Sequence, residues 1–281
     1  MEVPLMHPIL FKIGSLPVNT YGLALAISFV LGLWLAARRG EAAGVQKNDV
    51  YDLGVRLMIA AIVGSRLFYV VTHIPEFQGH WLDVIAIWKG LYGLSMLGGV
   101  ILAVATGFYT VWKKKLPVWE LSDAVIPSFA LGIFVTRIGC FFNGCCFGSE
   151  TSCSLGITFP DSAMPYSGTG ILPGAHIHPT QLYSSLAGLF IIIVLLCADR
   201  RKHFPGFIFA FFTGLYGVTR FGLEEFRYFD HEPNMLFGFS SIAGRSGITD
   251  NQFISLLMLV SSILLGVWLF LRYRRISSAS S

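Results

Sequence analysis

Two stretches of the sequence concentrate groups that can do chemistry: "RIGCFFNGCCFG" at residues 137–148 and "YGVTRFGLEEFR" at 216–227. In the second, Tyr216, Arg220 and Glu224 recur every four residues and Arg227 follows at the next turn, so a helix would carry all four on one face. Arg220 and Glu224 can neutralise one another. Arg227 then leaves the face net positive, which suits a phosphate held by forked guanidinium bonds. In the first stretch, Arg137 precedes Gly139, Gly144 and Gly148, which permit tight turns, and Asn143, which can bond a ligand or its own loop.

The same string holds Cys140, Cys145 and Cys146, with Cys153 a few residues on. Three readings of these residues stand: small apolar thiols used in packing, a disulfide with Cys153, or a redox or metal site. The spacing CxxxxCC lacks the paired CxxC of zinc sites, so no metal is expected. Cys197 reads as a core residue.

The elements that must position these groups follow from composition. Of 281 residues, 54% are hydrophobic and only 13% charged, against roughly 25% charged in a globular chain. Seven runs approach the roughly 20 apolar residues that cross a bilayer: about 20–37, 53–72, 91–112, 121–137, 182–198, 205–223 and 252–271. The expected fold is all-α, a polytopic membrane helix bundle of about seven transmembrane helices, because a helix satisfies its own backbone in lipid. "ARRGEAAGVQK", "KKK", "DRRK" and "RYRR" follow the first, third, fifth and seventh spans and contribute three basic residues each, 12 of the 20 Lys and Arg. The positive-inside rule makes these ends cytoplasmic, with the N-terminus outside and the C-terminus cytoplasmic. Residues 1–281 read as a single integral membrane domain with an N-terminal outer arm (1–19), lying on the membrane surface, and a long outer loop (about 138–181). Pro4, Pro8 and Pro17 interrupt the arm, and no cleavable signal is evident. Nothing in the charge pattern suggests nucleic acid.

Four arginines stand in or beside spans: Arg56, Arg66, Arg137 and Arg220. Each costs about 2.5–3.5 kcal/mol near a helix centre, so each should face a partner, the bundle interior or an anionic ligand. Arg56, near the cytoplasmic end, reads as a snorkelling or ion-paired residue. Arg66, Arg137 and Arg220 are candidate ligands for a lipid phosphate in an outward-opening cavity. His178 precedes the fifth span, where Pro179 is placed to open a helix; His73, His80 and His176 read as surface residues.

With these motifs placed, the chain resembles the prolipoprotein diacylglyceryl transferases of bacterial inner membranes. The resemblance runs through "YGLALAISF", "GSRLFYV", "YGLSMLGGV", "LSDAVIPSFALG" leading into "RIGCFFNGCCFG", then "HPTQLY", "YGVTRFGLEEFR" and "NQFIS". It implies transfer of diacylglyceryl from phosphatidylglycerol to the lipobox cysteine of a secreted precursor, with release of glycerol phosphate and no cofactor. It also implies roles in catalysis for Tyr21, His178, Arg220 and Glu224. Arg137, Asn143, Gly148, Tyr216 and Arg220, joined by Arg66, would bind the lipid.

The departures from the family fall at the chemistry. Leu97 stands before Gly98 and Gly99 where the family usually has the histidine of "HGG"; Cys140 stands at a usual asparagine, and Cys145 often at a glutamate. Leu97 cannot take a proton, which leaves His178, Glu224 or a thiolate among the cysteines as base. An alternative function is a non-catalytic, thiol-redox or metal-binding membrane protein that keeps the fold. A transporter is a weaker reading, because no half-to-half repeat is visible.

Overall fold

Among the described residues, the long apolar stretches between the charged clusters fold into seven α-helices: α1 (Thr20–Ala42), α2 (Lys47–Thr72), α3 (Met96–Lys113), α4 (Val118–Asn143), α5 (Thr180–Ala198), α6 (Phe207–Glu224) and α7 (Asp250–Ala279). The computed structural model describes residues 9–13, 16–77, 84, 94–159, 171, 174–201, 203–228, 235–240 and 246–279. Six of the helices are long and apolar enough to span a bilayer. The other is α6, which carries Arg220 and Glu224. Large apolar side chains such as Phe108 (72% exposed) and Trp112 (78%) point away from the protein, as lipid-facing residues must. The chain is a multi-pass helical membrane protein.

Several boundaries differ from the hydropathy reading. Helix α4 does not end at Arg137 but runs on to Asn143, because Ile138, Phe141 and Phe142 continue its apolar pattern; half of the supposed loop motif is therefore helix. Helix α6 stops at Glu224, so Arg227 lies beyond it, in a backbone bridge to Gly148. The described part of the N-terminal arm is a β-hairpin, β1 (Ile9–Ile13) with β2 (Leu16–Asn19). A second hairpin, β3 (Met235–Ser240) with β4 (Ser246–Thr249), precedes α7. Cys197 is exposed rather than in the core. His80 and residues 160–170 of the long loop lie outside the described residues.

Two units are distinguished, Ala37–Leu121 and the remainder. In the smaller one, α2 and α3 pack through glycine. A side chain on Gly64 or Gly98 would strike the opposing backbone, and one on Gly99 would come within 3.0 Å of the Ala61 carbonyl. Small residues at such crossings let membrane helices approach closely. Leu97, one residue before these glycines, is 56% exposed. Arg56 pairs with Asp52 at 2.9 Å, and Lys114 reaches Asp49 at 2.7 Å, so Arg56 is ion-paired as expected.

The larger unit uses the same small-residue packing. Ser28 of α1 donates to the Gly132 carbonyl of α4 at 3.4 Å. Ser185 of α5 donates to the Phe134 carbonyl at 2.9 Å, and Ser262 of α7 donates to Ala210 of α6 at 2.8 Å. Asp123 of α4 accepts the Gly206 and Phe209 amides at 2.7 and 2.8 Å, satisfying the otherwise orphaned N–H groups at the start of α6. Ile126, Ala130, Ile191, Leu195, Ile208 and Phe212 form the core among α4, α5 and α6. A separate cluster of Phe147, Phe159, Ile171 and Ile177 gives the long loop a core of its own.

Candidate active site

Helices α4, α5 and α6 enclose a narrow crevice lined by Ile133 and Arg137, by Ser184 and Gly188, and by Tyr216 and Arg220. Gly188 is what brings α5 in, since a side chain there would lie 2.8 Å from the Phe134 amide of α4. The structure thus unites Arg137, Tyr216 and Arg220, three residues separated by up to 83 positions. Tyr216 is held by stacking on Phe212, with ring centres 5.7 Å apart.

Glu224 is fully buried. Its Oε2 is ion-paired with Arg220, 2.8 Å from Nη1, and lies 3.7 Å from Arg227 Nη1. Its Oε1 accepts the Asn251 amide at 2.7 Å. Asn251 is placed by a reciprocal cap on α7: Gln252 N–H donates to Thr249 Oγ1 at 3.2 Å, and the Thr249 N–H donates to Gln252 Oε1 at 3.0 Å. This is the capping-box pattern T-x-x-Q. Asn251 stands within "NQFIS", and its one trace in the sequence is the box formed by Thr249 and Gln252. Arg137 forms no ion pair among the described residues, so the crevice carries a positive charge that Glu224 does not match.

Beyond Asn143 the chain reverses through two left-handed residues, Gly144 (φ 74°) and Cys146 (φ 61°). Helix α5 holds the turn: Thr180 Oγ1 donates to the Cys146 carbonyl at 2.8 Å and the buried Gln181 amide to the Cys145 carbonyl at 2.9 Å. The turn carries Cys145 and Cys146 back toward Cys140, and the three sulfurs lie within 4.8 Å of one another. All five cysteines are free thiols, and Cys153 stays exposed outside the cluster. Asn143 bonds Cys145 through its side chain, and Tyr21 lies within electrostatic range of the three cysteines and Arg137. Hydrogen bonds from Cys140 and Cys145, with the charges of Arg137 and Arg227, hold the Cys146 thiol well below its ordinary range.

Gly148 joins three segments. Its N–H donates to the His178 carbonyl at 2.9 Å, Ser149 donates to the Phe226 carbonyl at 3.0 Å, and His178 donates to the Ser149 carbonyl at 3.0 Å. A Cβ at 148 would lie 2.7 Å from the His178 carbonyl oxygen. The His178 ring packs edge-on against Phe226, with Nδ1 3.3 Å from the Tyr183 hydroxyl, and burial lowers its basicity. Gly139 admits the first turn of α1, bearing Tyr21, against α4. Arg66 belongs to the smaller unit, where Nε donates to the Val84 carbonyl at 2.9 Å and the guanidinium lies 5.3 Å from the Phe77 ring centre.

Together these features define a polytopic helical membrane protein with a positively charged crevice among α4, α5 and α6. The chain belongs to the prolipoprotein diacylglyceryl transferase family, which it matches over residues 8–268. A protein of Clostridium tetani named phosphatidylglycerol–prolipoprotein diacylglyceryl transferase is 30% identical over 266 residues, 94% of this chain and 97% of the relative. Proteins of the same name are 32% identical in Geobacter sulfurreducens, over 85% of this chain and 88% of the relative, and in Pseudoalteromonas atlantica, over 94% and 90%.

Proposed function

We propose that this protein transfers the diacylglyceryl group of phosphatidylglycerol to the thiol of a lipobox cysteine in a secreted lipoprotein precursor. Family membership and the names of its relatives supply the reaction. The observation that carries it to these residues is the crevice in which Arg137 and Arg220 stand together with only Glu224 to offset them. In this reading the protein acts as one domain of the bacterial inner membrane, its N-terminus outside and its crevice opening outward.

The reaction forms a bond from the acceptor sulfur to C3 of the lipid glycerol while the C3–O bond to phosphate breaks. The electron pair leaves with glycerol phosphate. Arg137 and Arg220 hold the phosphodiester and take up the charge that grows on its oxygens, which forked guanidinium groups do better than ammonium groups. Glu224 and Asn251 aim Arg220, and Tyr216 borders the phosphate. His178, kept neutral by burial, accepts the thiol proton. Tyr21 and Asn143 face the acceptor sulfur, and Gly148 keeps His178 in register with the cysteine turn. Arg66, in the smaller unit, is a further ligand for a lipid phosphate.

The test is transfer by the purified protein in phosphatidylglycerol vesicles, read by mass spectrometry of a lipobox peptide. The peptide should gain one diacylglyceryl group, and vesicles of phosphatidylcholine alone should give none. No mass gain from an intact, folded preparation overturns the assignment.

A further inference from the structure

On an unbroken helix, residues five and six positions after Cys140 would point about 140° and 240° away from it. The chain instead breaks after Asn143 and turns through left-handed Gly144 and Cys146. That conformation costs a non-glycine residue about 1–2 kcal/mol. The outcome is three thiol sulfurs within 4.8 Å of one another, graded from buried Cys140 to exposed Cys146. The turn is fastened from outside by Thr180 and Gln181. Gln181 is fully buried, and its Oε1 has no hydrogen-bond partner among the described residues.

Thiolates at about 2.3 Å from zinc sit about 3.8 Å apart at the corners of a tetrahedron. The cluster reaches that with sulfur movements of an ångström or less. Three protein ligands leave the fourth position open, the arrangement of a reactive rather than a structural zinc site. Three thiolates around a divalent ion leave one net negative charge, and Arg137 and Arg227 act on Cys146 from nearby.

We infer that Cys140, Cys145 and Cys146 form a three-thiolate site for a zinc ion whose open fourth position takes the acceptor thiol. The role of the fourth position rests on the proposed transferase activity; the metal site does not. The acceptor binds the ion as a thiolate, since a thiol coordinated to zinc is deprotonated, and its proton passes to His178 and then to water. The bound sulfur attacks C3, the C3–O bond breaks, and the phosphate ester leaves with the electron pair onto Arg137 and Arg220. The thioether product has lost the charge that held it to the ion and departs, which restores the open position.

The experiment uses the full-length protein in detergent, stripped with a chelator and titrated with zinc or cobalt(II). One equivalent of cobalt should bind and give thiolate-to-metal charge-transfer absorption. One equivalent of zinc should slow alkylation of Cys145 and Cys146 at least tenfold while Cys153 and Cys197 react as before. This arm needs no variant to fold. A lipobox peptide should then shift the cobalt spectrum, and the same peptide with serine for cysteine should not. Chelation should reduce transfer at least tenfold, restored by zinc; Cys145→Ser should lose both metal and transfer, whereas Cys197→Ser keeps them. No stoichiometric binding, or no protection of Cys145 and Cys146, overturns the site. Full transfer by the zinc-free protein overturns the inference and leaves the transferase reading standing. A metal-loaded protein that transfers nothing keeps the site but overturns the transferase reading and the acceptor position with it.

Discussion

Asn251 donates its side-chain amide to the buried carboxylate of Glu224 at 2.7 Å, which ties the first turn of α7 to the carboxylate that pairs with Arg220. The carboxylate has two oxygens and two structural duties: one faces Arg220 and the other faces Asn251. Removing the amide leaves a charged oxygen buried without its donor, a loss of about 1.5–3 kcal/mol.

Asn251→Ala should therefore lower the thermal stability of the detergent-solubilised protein and reduce transfer about tenfold, while Asn251→Asp should be worse, because it sets two carboxylates against each other. Thermal unfolding alongside peptide lipidation measures both. Unchanged stability and turnover in Asn251→Ala would detach this residue from the site.

Arg137→Ala should behave differently. With no ion pair among the described residues to break, its folding should stay close to that of the parent. Transfer should fall by roughly 10²–10³-fold, as when one donor to a developing oxyanion is lost. Lysine should restore part of the activity, since it supplies charge without the fork. A strongly destabilised but active Arg137→Ala protein would mark the arginine as structural.

The pH profile reports on His178. Burial lowers its folded-state basicity, so above the ordinary histidine range the ring is neutral in both the folded and the unfolded chain. Between the ordinary value and the lowered one, only the unfolded chain binds the proton. The associated stability is thus present above the ordinary value and is lost as pH falls through the lowered one. Transfer should decline on the same acid side, below the ordinary histidine range, as the folded ring takes up its proton. His178→Gln should be slow and lack that limb. An unaltered acid limb in the variant would assign it to another group.

Gly148→Ala tests the junction. The new methyl would press on the His178 carbonyl, and overpacking of this kind costs about 1–3 kcal/mol. Faster proteolysis within residues 144–159 and weaker transfer should follow. A protease-resistant, fully active Gly148→Ala protein would show that the three segments can part without consequence.

The helices were legible because lipid imposes one constraint on every span, and a run of apolar residues such as that at 186–196 leaves no competing reading. The arginine crevice was legible for the same reason: Arg137 and Arg220 are expensive in hydrocarbon, and the period of four from Tyr216 to Glu224 fixes their face. Arg227 was misassigned to that face because periodicity does not reveal where a helix stops. The cysteine cluster was invisible for a related cause. Its convergence depends on a helix break at Asn143 and on left-handed backbone at Cys146, a conformation that the identity of a cysteine argues against. Asn251 was missed because its role depends on α7 lying against α6, a tertiary fact with only the local cap at Thr249 and Gln252 as a trace.

In the proposed reaction the buried carboxylate of Glu224 favours product release. A crevice that offered two unmatched guanidinium groups would grip glycerol phosphate, which carries more charge than the lipid it came from, more tightly than the substrate, and the product would block the next cycle. Glu224 is already ion-paired with one of them, Arg220, at 2.8 Å. In the proposed reaction the carboxylate stays beside Arg220 when the diester is cleaved, so the departing phosphate leaves a paired guanidinium instead of a bare cation in the membrane.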